Sequence, residues 1–191
     1  KINKLWIMGG GYPNGHVETN LANGGTPKMV NATANVIENF SNEIIWLGGE
    51  HSDVRCGDIL IENNLTWSIL YKCMNEFMQT YYDSHLSEYA SLKDVWKDRD
   101  FAWDTLVVLA MCEENGALTG FNYVKGTNSI NTTIGTSDYG QNTFTKNDSG
   151  KHFYCEKQTG RSKEWFSHRL DSIIAEDAWV SRKIGRVRLP R

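Results

Sequence analysis

The stretch IMGGGYPNGHVETN, from Ile7 to Asn20, decides how this 191-residue chain is interpreted. It continues an apolar run that begins at Leu5, and it opens at once into a loop with four glycines. A glycine-rich turn after a strand lets a ligand approach the backbone closely, because no Cβ stands in the way. Beyond the loop, Glu18 and Asn20 provide a carboxylate and an amide suited to the hydroxyls of a sugar. The plainer interpretation is a tight strand-to-helix connection with solvated polar residues.

Short apolar strands flank a helix on either side of this loop. The segments Leu5–Met8 and Glu43–Leu47 have the composition of buried strands, and Pro27 marks the first turn of a helix between them. A β-α-β order predicts an α/β fold with a parallel sheet. Spacing along the helix predicts that its inward face carries Met29, Val36, Ile37 and Phe40.

The second half of the chain predicts further helices and a polar, turn-rich section. One predicted helix is amphipathic, with an apolar stripe that includes Phe77 and Met78. The run from Thr105 to Cys112 is apolar on every side, which predicts a second helix that is covered by neighbouring elements. Residues 121–156 predict three short antiparallel strands with turns at Gly126, Gly140 and Gly150. A closing helix follows from Ser162 to Ala175, with Trp165, Leu170, Ile173 and Ile174 inward. Residues 1–176 are expected to form one domain portion, and 177–191 a basic tail.

Charge and composition exclude two classes of partner. Twenty basic and 23 acidic residues give a net charge of −3, which argues against a general nucleic-acid binder. No apolar run approaches the roughly 18 residues that a membrane span needs, so no membrane segment is expected.

Sequons and cysteines indicate a secreted protein. Five N-x-S/T sequons in this length suggest an extracellular glycoprotein, with acceptors at Asn31, Asn39, Asn64, Asn131 and Asn147. On the first helix, Asn31 and Asn39 are expected to project away from the apolar face. Four widely spaced cysteines without a CxxC pair favour two disulfides of undetermined connectivity within the chain; they are Cys56, Cys73, Cys112 and Cys155. The alternatives are buried thiols, or one cysteine bonded to another chain.

Four segments in sequence resemble the C-terminal half of the inosine–uridine nucleoside hydrolase family. They are IMGGGYPNG…ETN, IIWLGGE, VRCGDIL and AWDTLVVLA, and the resemblance runs from about Leu5 to about Glu176. It implies a mostly parallel open sheet with flanking helices and a small antiparallel section. It also implies Ca²⁺-dependent hydrolysis of the N-glycosidic bond of ribonucleosides. The Asp-rich motif that opens the family is absent here, so the chain is expected to be the C-terminal part of a larger protein. An N-terminal chain of the same precursor would then share the Ca²⁺.

The resemblance also assigns roles to individual residues. Asp104 would be a catalytic calcium ligand, although an aspartate at a helix start also suits an N-cap. Glu18 and Asn20 match the residues that hold the ribose hydroxyls. Met8 and Asn14 match positions that line the sugar pocket.

The position of the proton donor to the departing base also differs from the best-known family members. Trp103 stands where the best-known family members have histidine; indole cannot supply an acidic proton, but it can stack on a base. His16 is our candidate for a catalytic acid, with His51 as a second. Both are also consistent with surface or structural histidines.

Two functions from different classes follow from these observations. The first is a secreted nucleoside N-ribohydrolase, completed by its N-terminal part and acting on a ribonucleoside. The second is a non-catalytic extracellular glycoprotein, such as a lectin, that retains the pocket for a ribose-like sugar. The sequence leaves a homo-oligomer open.

Overall fold

A computed structural model of the chain describes residues 2–17, 27–58, 69–99, 102–113 and 120–184. It divides into two units, Lys1–Ser52 with Trp103–Arg161 and Asp53–Ala102 with Ser162–Arg191. The described residues form, in chain order, β1 (Lys4–Met8), α1 (Pro27–Asn39), β2 (Glu43–Leu47), α2 (Ile69–Ser84), α3 (Leu92–Arg99), α4 (Trp103–Glu113), β3 (Phe121–Ile130), β4 (Asn142–Lys146), β5 (His152–Lys157) and α5 (Lys163–Ile184). The prediction of an α/β fold is confirmed.

The first unit contains a five-stranded mixed sheet in the order β1-β2-β5-β3-β4. The pairs β1–β2 and β2–β5 are parallel, whereas β3 runs antiparallel to both β5 and β4. The antiparallel section therefore includes half of the pairings within the described sheet and is larger than predicted. The carboxyl ends of β1 and β2 meet at one edge of the sheet, where open α/β sheets bind ligands.

Two helices cover opposite faces of this sheet. On one face, Ile37 of α1 packs with Ile44, Trp46 and Tyr154 in a buried cluster. These strand residues share a face because Ile44 and Trp46 are two apart, and Trp46 lies opposite Tyr154 in the parallel register. Helix α4 packs against β1 and β2. The Tyr123 hydroxyl from β3 donates to the carbonyl oxygen of Ala110 in that helix, at 3.3 Å.

The buried face of α1 agrees only in part with the prediction: Ile37 is buried and Phe40 packs against the same cluster, as expected. Val30, Ala34 and Ile37 are buried, whereas Met29 and Val36 are 45% and 42% exposed. Val30, Ala34 and Ile37 follow one another at intervals of four and three residues, which places them on one face of the helix. The outward projection of Asn31 and Asn39 is confirmed, since both are exposed.

Helix α4 is also less covered than its composition predicted. Leu106, Leu109 and Ala110 are buried, but Val108 and Met111 are 52% and 45% exposed. The expectation of a helix covered all round is therefore wrong for the outer face of α4. The apolar composition of a helix does not by itself show that other elements cover all of its faces.

The three strands predicted between residues 121 and 156 are present, but the predicted turn at Gly126 is wrong. Gly126 lies inside the ten-residue β3, paired with Lys146 on one side and His152 on the other. A Cβ at Gly126 would lie 2.4 Å from the Thr145 carbonyl oxygen. Glycine is used here for close backbone approach within a sheet.

The second unit is helical in its described residues and has its own core. Met78, Val95 and Trp96 form a buried cluster, and Tyr71 stacks on Trp96 with ring centroids 5.8 Å apart. Phe77 is 63% exposed, so its prediction as part of the apolar stripe is wrong.

Helix α5 has buried residues of its own and is longer than predicted. Phe166 and Leu170 are buried, but Ile173, predicted inward, is 37% exposed, and Trp165 is only partly buried. The side chain of Ile174 lies outside the described residues. The helix extends to Ile184, past the expected start of the tail at 177.

The predicted modification sites have different surroundings. Asn131 and Asn147 directly follow β3 and β4, near turns as expected, and Asn64 lies outside the described residues. All four cysteines fall within the described ranges and none is bonded to another; Cys56 and Cys155 are buried, and Cys73 and Cys112 are exposed. Two disulfides stay a prediction. Among the described helices, none is long and apolar enough to cross a membrane.

Candidate functional site

The glycine-rich loop leaves β1 and is fixed to the end of β2 by backbone hydrogen bonds. The Gly9 N–H donates to the Leu47 carbonyl oxygen at 2.9 Å, and the Gly49 N–H donates to the Gly10 carbonyl oxygen at 2.8 Å. Gly10 has φ +68°, and a Cβ there would lie 2.4 Å from the Tyr154 hydroxyl oxygen. Only glycine combines this dihedral angle with so close a neighbour. The loop is thus held tightly at the carboxyl ends of two parallel strands.

The side chain of Asn142, at the start of β4, holds the loop from the other side. Its Oδ1 accepts the Gly11 N–H at 2.7 Å and the His16 N–H at 2.9 Å. Its Nδ2 donates to the Gly11 carbonyl oxygen at 3.0 Å and lies 3.3 Å from the Tyr154 hydroxyl oxygen. The Tyr154 hydroxyl in turn donates to the Gly9 carbonyl oxygen at 3.1 Å. Asn142 is only 3% exposed, so these bonds are shielded from water.

An aromatic cluster supports the same loop. Tyr12 stacks on Tyr154 with centroids 5.8 Å apart and meets Phe144 edge-on at 5.4 Å. Such pairs contribute about 0.5–1.5 kcal/mol beyond the area that they bury. The loop therefore rests on both polar and apolar contacts from β4 and β5.

A cleft of about 250 Å³ opens where the loop, β1, α1 and β4 meet. Aliphatic and aromatic side chains, three glycines and a few polar groups line it; the residues are Ile7, Met8, Gly9, Gly10, His16, Thr33, Trp46, Ile130, Gly140 and Asn142. This mixture of apolar walls with few polar groups is typical of small-molecule sites. It is the candidate site of the first unit.

The structure brings together three of the predicted site residues. Met8 and His16 line the cleft, and Asn14 lies in the same loop, where its carbonyl oxygen accepts a hydrogen bond from the Gln141 side chain at 3.3 Å. The His16 side chain is exposed, so it is accessible to a ligand. Glu18 and Asn20 lie outside the described residues.

Trp103 and Asp104 begin α4 and are not among the residues described as lining the cleft. Both are exposed. Asp104 is the second residue of the helix rather than its cap. A carboxylate in the first turn still interacts favourably with the positive end of the helix dipole.

A calcium site needs more oxygen ligands than these residues supply. Ca²⁺ takes six to eight oxygens, and Asp104 offers one carboxylate. Within the described ranges, no group of three or more His, Cys, Asp or Glu side chains is arranged to hold a metal ion. The described residues alone therefore do not fit a complete calcium site.

Glu50 is a second ionisable group next to the loop. Its Oε2 accepts the Tyr12 N–H at 3.2 Å, and its side chain is 27% exposed. Burial raises the pKa of Glu50 above its usual value of 4.5, and backbone hydrogen bonds and Lys157 only partly offset this. His51, by contrast, is buried, and its Nε2–H donates to the Cys155 carbonyl oxygen at 2.8 Å, which suits a structural histidine.

The second unit has a charged cavity of about 380 Å³. Its lining combines acidic, basic and hydroxyl side chains; the residues are Asp53, Arg55, Asp58, Lys163, Glu164, Ser167, His168 and Asp171. Asp171 is buried and accepts the Gly57 N–H. Charges of both signs in one cavity do not select a ligand class, so we assign it no role.

Sequence reasoning missed Asn142, Tyr154 and Glu50. The signal for Asn142 was present, because it lies two residues before the core residue Phe144 and therefore on the same face of β4. A polar residue at a core-facing strand position must find hydrogen-bond partners.

Comparison with protein-family models, with curated proteins and with solved structures found no match for this chain in any of the three.

Proposed function

We propose that this chain is part of a secreted nucleoside N-ribohydrolase-like protein that hydrolyses the N-glycosidic bond of ribonucleosides. In this proposal its sheet is a variant of the C-terminal half of the nucleoside hydrolase fold. An N-terminal part of the same precursor completes the catalytic site.

The observation that carries the proposal is the position of the cleft. It lies at the carboxyl ends of the parallel strands β1 and β2, where ligands bind in open α/β sheets. Its lining includes Met8 and His16, two residues that the sequence motifs also predict for the site. The glycine-rich loop that contributes to it is held by hydrogen bonds, so its backbone is preorganised for a ligand.

The reaction breaks the bond between the ribose C1′ and the base nitrogen, and water adds to C1′. Positive charge develops on the sugar, as in glycoside hydrolysis generally, and the base leaves more easily if it is protonated. His16 is the proposed proton donor, because its imidazole lines the cleft and is exposed. Trp103 is proposed to stack on the base, and Asn14, Glu18 and Asn20 to hold the ribose.

Asp104 is proposed to contribute one ligand to a Ca²⁺ whose other ligands come from the N-terminal part. When bound, such an ion would bind hydroxyl oxygens and lower the pKa of a water molecule. The 191-residue chain alone should then bind Ca²⁺ poorly.

Hydrolysis of inosine and uridine by the complete protein in the presence of Ca²⁺ tests the proposal. Asp104→Ala should lower kcat/KM at least about 100-fold, since loss of mere outer partners of a metal ligand already costs 10–100-fold. Asp148→Ala, which removes an exposed carboxylate after β4, is the matched control and should leave the rate unchanged. Equal activity of Asp104→Ala and the parent would contradict the metal role.

The binding-protein alternative has a distinct outcome. A complete protein that binds ribose but hydrolyses neither nucleoside would replace the enzyme with a lectin-like glycoprotein that uses the same cleft. A protein that neither binds ribose nor hydrolyses nucleosides would remove both candidate functions.

Secretion is the third part of the proposal. Asn31 and Asn39 are exposed on α1, where attached glycans would meet solvent. The intact mass of protein from its native source should fall after glycosidase treatment, and Asn31→Gln should remove one glycan. An unchanged mass would contradict the extracellular assignment.

A further inference from the structure

The Asn142 side chain connects segments that are far apart in sequence. It bonds to Gly11 and His16 in the glycine-rich loop, 131 and 126 residues away, and its Nδ2 also donates to Asn128 Oδ1 at 3.0 Å. Its own backbone N–H donates to the His16 carbonyl oxygen at 3.2 Å. The start of β4 is therefore joined to both ends of the loop segment 11–16.

These bonds use the full hydrogen-bonding capacity of the amide. A primary amide offers two acceptor lone pairs and two N–H donors. The two lone pairs meet the N–H groups of Gly11 and His16, and the two donors are shared among Gly11, Asn128 and Tyr154. Asn142 lines the cleft but has no hydrogen bond left for a ligand. Any effect that it has on a ligand must act through the loop.

The loop needs such a restraint because of its composition. Gly9, Gly10, Gly11 and Gly15 give it many accessible conformations when it is unrestrained, and ordering them costs conformational entropy. A loop that is ordered before a ligand arrives avoids this cost at the moment of binding.

We propose that Asn142 is the positioning residue of the cleft: it holds the loop segment 11–16 in the conformation that binds ligand, and through the His16 N–H it fixes where the imidazole stands. This inference rests on the proposed function, because the ligand is the ribose of that function. It assigns Asn142 no contact with the reacting atoms.

The test combines ribose binding with amide hydrogen exchange on the complete protein, which includes the N-terminal part. Asn142→Ala should weaken the Kd for ribose at least about tenfold, which corresponds to 1.4 kcal/mol. It should also speed exchange at the Gly11 and His16 amides. Asn142→Asp keeps the acceptor oxygen for both N–H groups but loses the donors, so these two amides should stay better protected than in Asn142→Ala.

Two further variants separate positioning from general stability. Ile37→Val trims the core under α1 at a residue that neither lines the cleft nor bonds to Asn142, so it should lower the free energy of unfolding and leave the ribose Kd unchanged. Tyr154→Phe removes the hydroxyl that donates to Gly9 but retains the stacked ring. It should weaken ribose binding less than Asn142→Ala does, and it provides the test if Asn142→Ala does not fold.

The outcomes distinguish this inference from the proposed function. If the complete protein binds ribose and its Asn142→Ala variant binds it equally well, the positioning role is overturned and the proposed function stands. If Ile37→Val weakens binding as much as Asn142→Ala does, the effect is general destabilisation and the role is again overturned. If the complete protein binds no ribose, the proposed function fails, and unchanged exchange at Gly11 and His16 in Asn142→Ala would then overturn the positioning role separately.

Discussion

Glu50 is a carboxylate in a place where a neutral side chain would favour folding. It lies beside the backbone of Gly48 and bonds to the Tyr12 N–H, and burial raises its pKa. A raised pKa means that the native state favours the protonated form. As pH rises from the usual pKa of 4.5 through the raised native pKa, the unfolded chain loses its proton before the native state does. The stability that protonated Glu50 gives the native state is therefore lost. At neutral pH the charged form therefore weakens the fold.

Glu50→Gln should consequently raise the Tm at pH 7.5, because the amide oxygen can still accept the Tyr12 N–H while the buried charge is removed. The gain should shrink as pH falls toward 4.5, because protonation of the native carboxyl removes the buried charge. Thermal unfolding followed by circular dichroism at pH 4.5 and 7.5 measures both effects. Glu156→Gln, at an exposed carboxylate on β5, should not change Tm with this pH dependence. A lower Tm for Glu50→Gln at pH 7.5 would show that the charge stabilises the loop.

At the scale of the elements, strand and helix positions were predictable, but their faces were predicted less well. Local composition predicted β1, α1 and β2, because each has a continuous or periodic apolar pattern. Whether Val30 or Val36 of α1 is buried depends on where β2 and β3 lie, which no local pattern contains. Gly126 was misassigned for a related reason, since the need for glycine comes from Thr145 on the neighbouring strand.

Gly126→Ala should therefore lower the free energy of unfolding by about 2 kcal/mol or more, because the new methyl would overlap the Thr145 carbonyl and the Phe144 ring. Gly135→Ala is the matched control: its Cβ would meet nothing within 4 Å, and only the φ of +91° opposes it. We expect Gly135→Ala to cost about 1–2 kcal/mol. Urea unfolding of the two variants gives the comparison. A smaller loss at Gly126 than at Gly135 would mean that β3 and β4 separate easily.

For the whole molecule, the α/β class was predictable but the sheet order was not. Strand β5 pairs with β2 although the first segment of the second unit lies between them in sequence. Nothing in the short apolar run of β5 indicates that its neighbour would be parallel. The candidate site was likewise predictable only in part. Its loop was identified from its glycines, whereas Asn142 and Tyr154 enter it only through the folded sheet.

His152 should make the stability of the whole first unit depend on pH. It is 2% exposed, and its Nδ1 accepts the Asn128 N–H at 2.8 Å. Burial, together with the charge of Lys151, lowers the pKa of His152 from its usual 6.5. The stability that its neutral form contributes is fully present above pH 6.5 and is lost as pH falls through that value toward the lowered native pKa.

Urea unfolding between pH 5 and 7.5 should therefore show a free energy of unfolding that falls with pH below about 6.5. His152→Gln should flatten this slope, because glutamine binds no proton, even though the variant is less stable at every pH. His168→Gln, on α5, is a control that should leave the slope unchanged. An equally steep slope in His152→Gln would assign the pH dependence to other groups.

The position of β5 between a parallel and an antiparallel neighbour also has a consequence for the order of events during synthesis. The pairing of β3 with β4 brings together groups about 14 residues apart, so it can form early, whereas the bond from Tyr154 to Gly9 spans 145 residues. Until the ribosome has produced His152, the β2 edge that accepts β5 has no strand to pair with. The glycine-rich loop is therefore synthesised long before it can adopt its native conformation, and the cleft is among the last features to form.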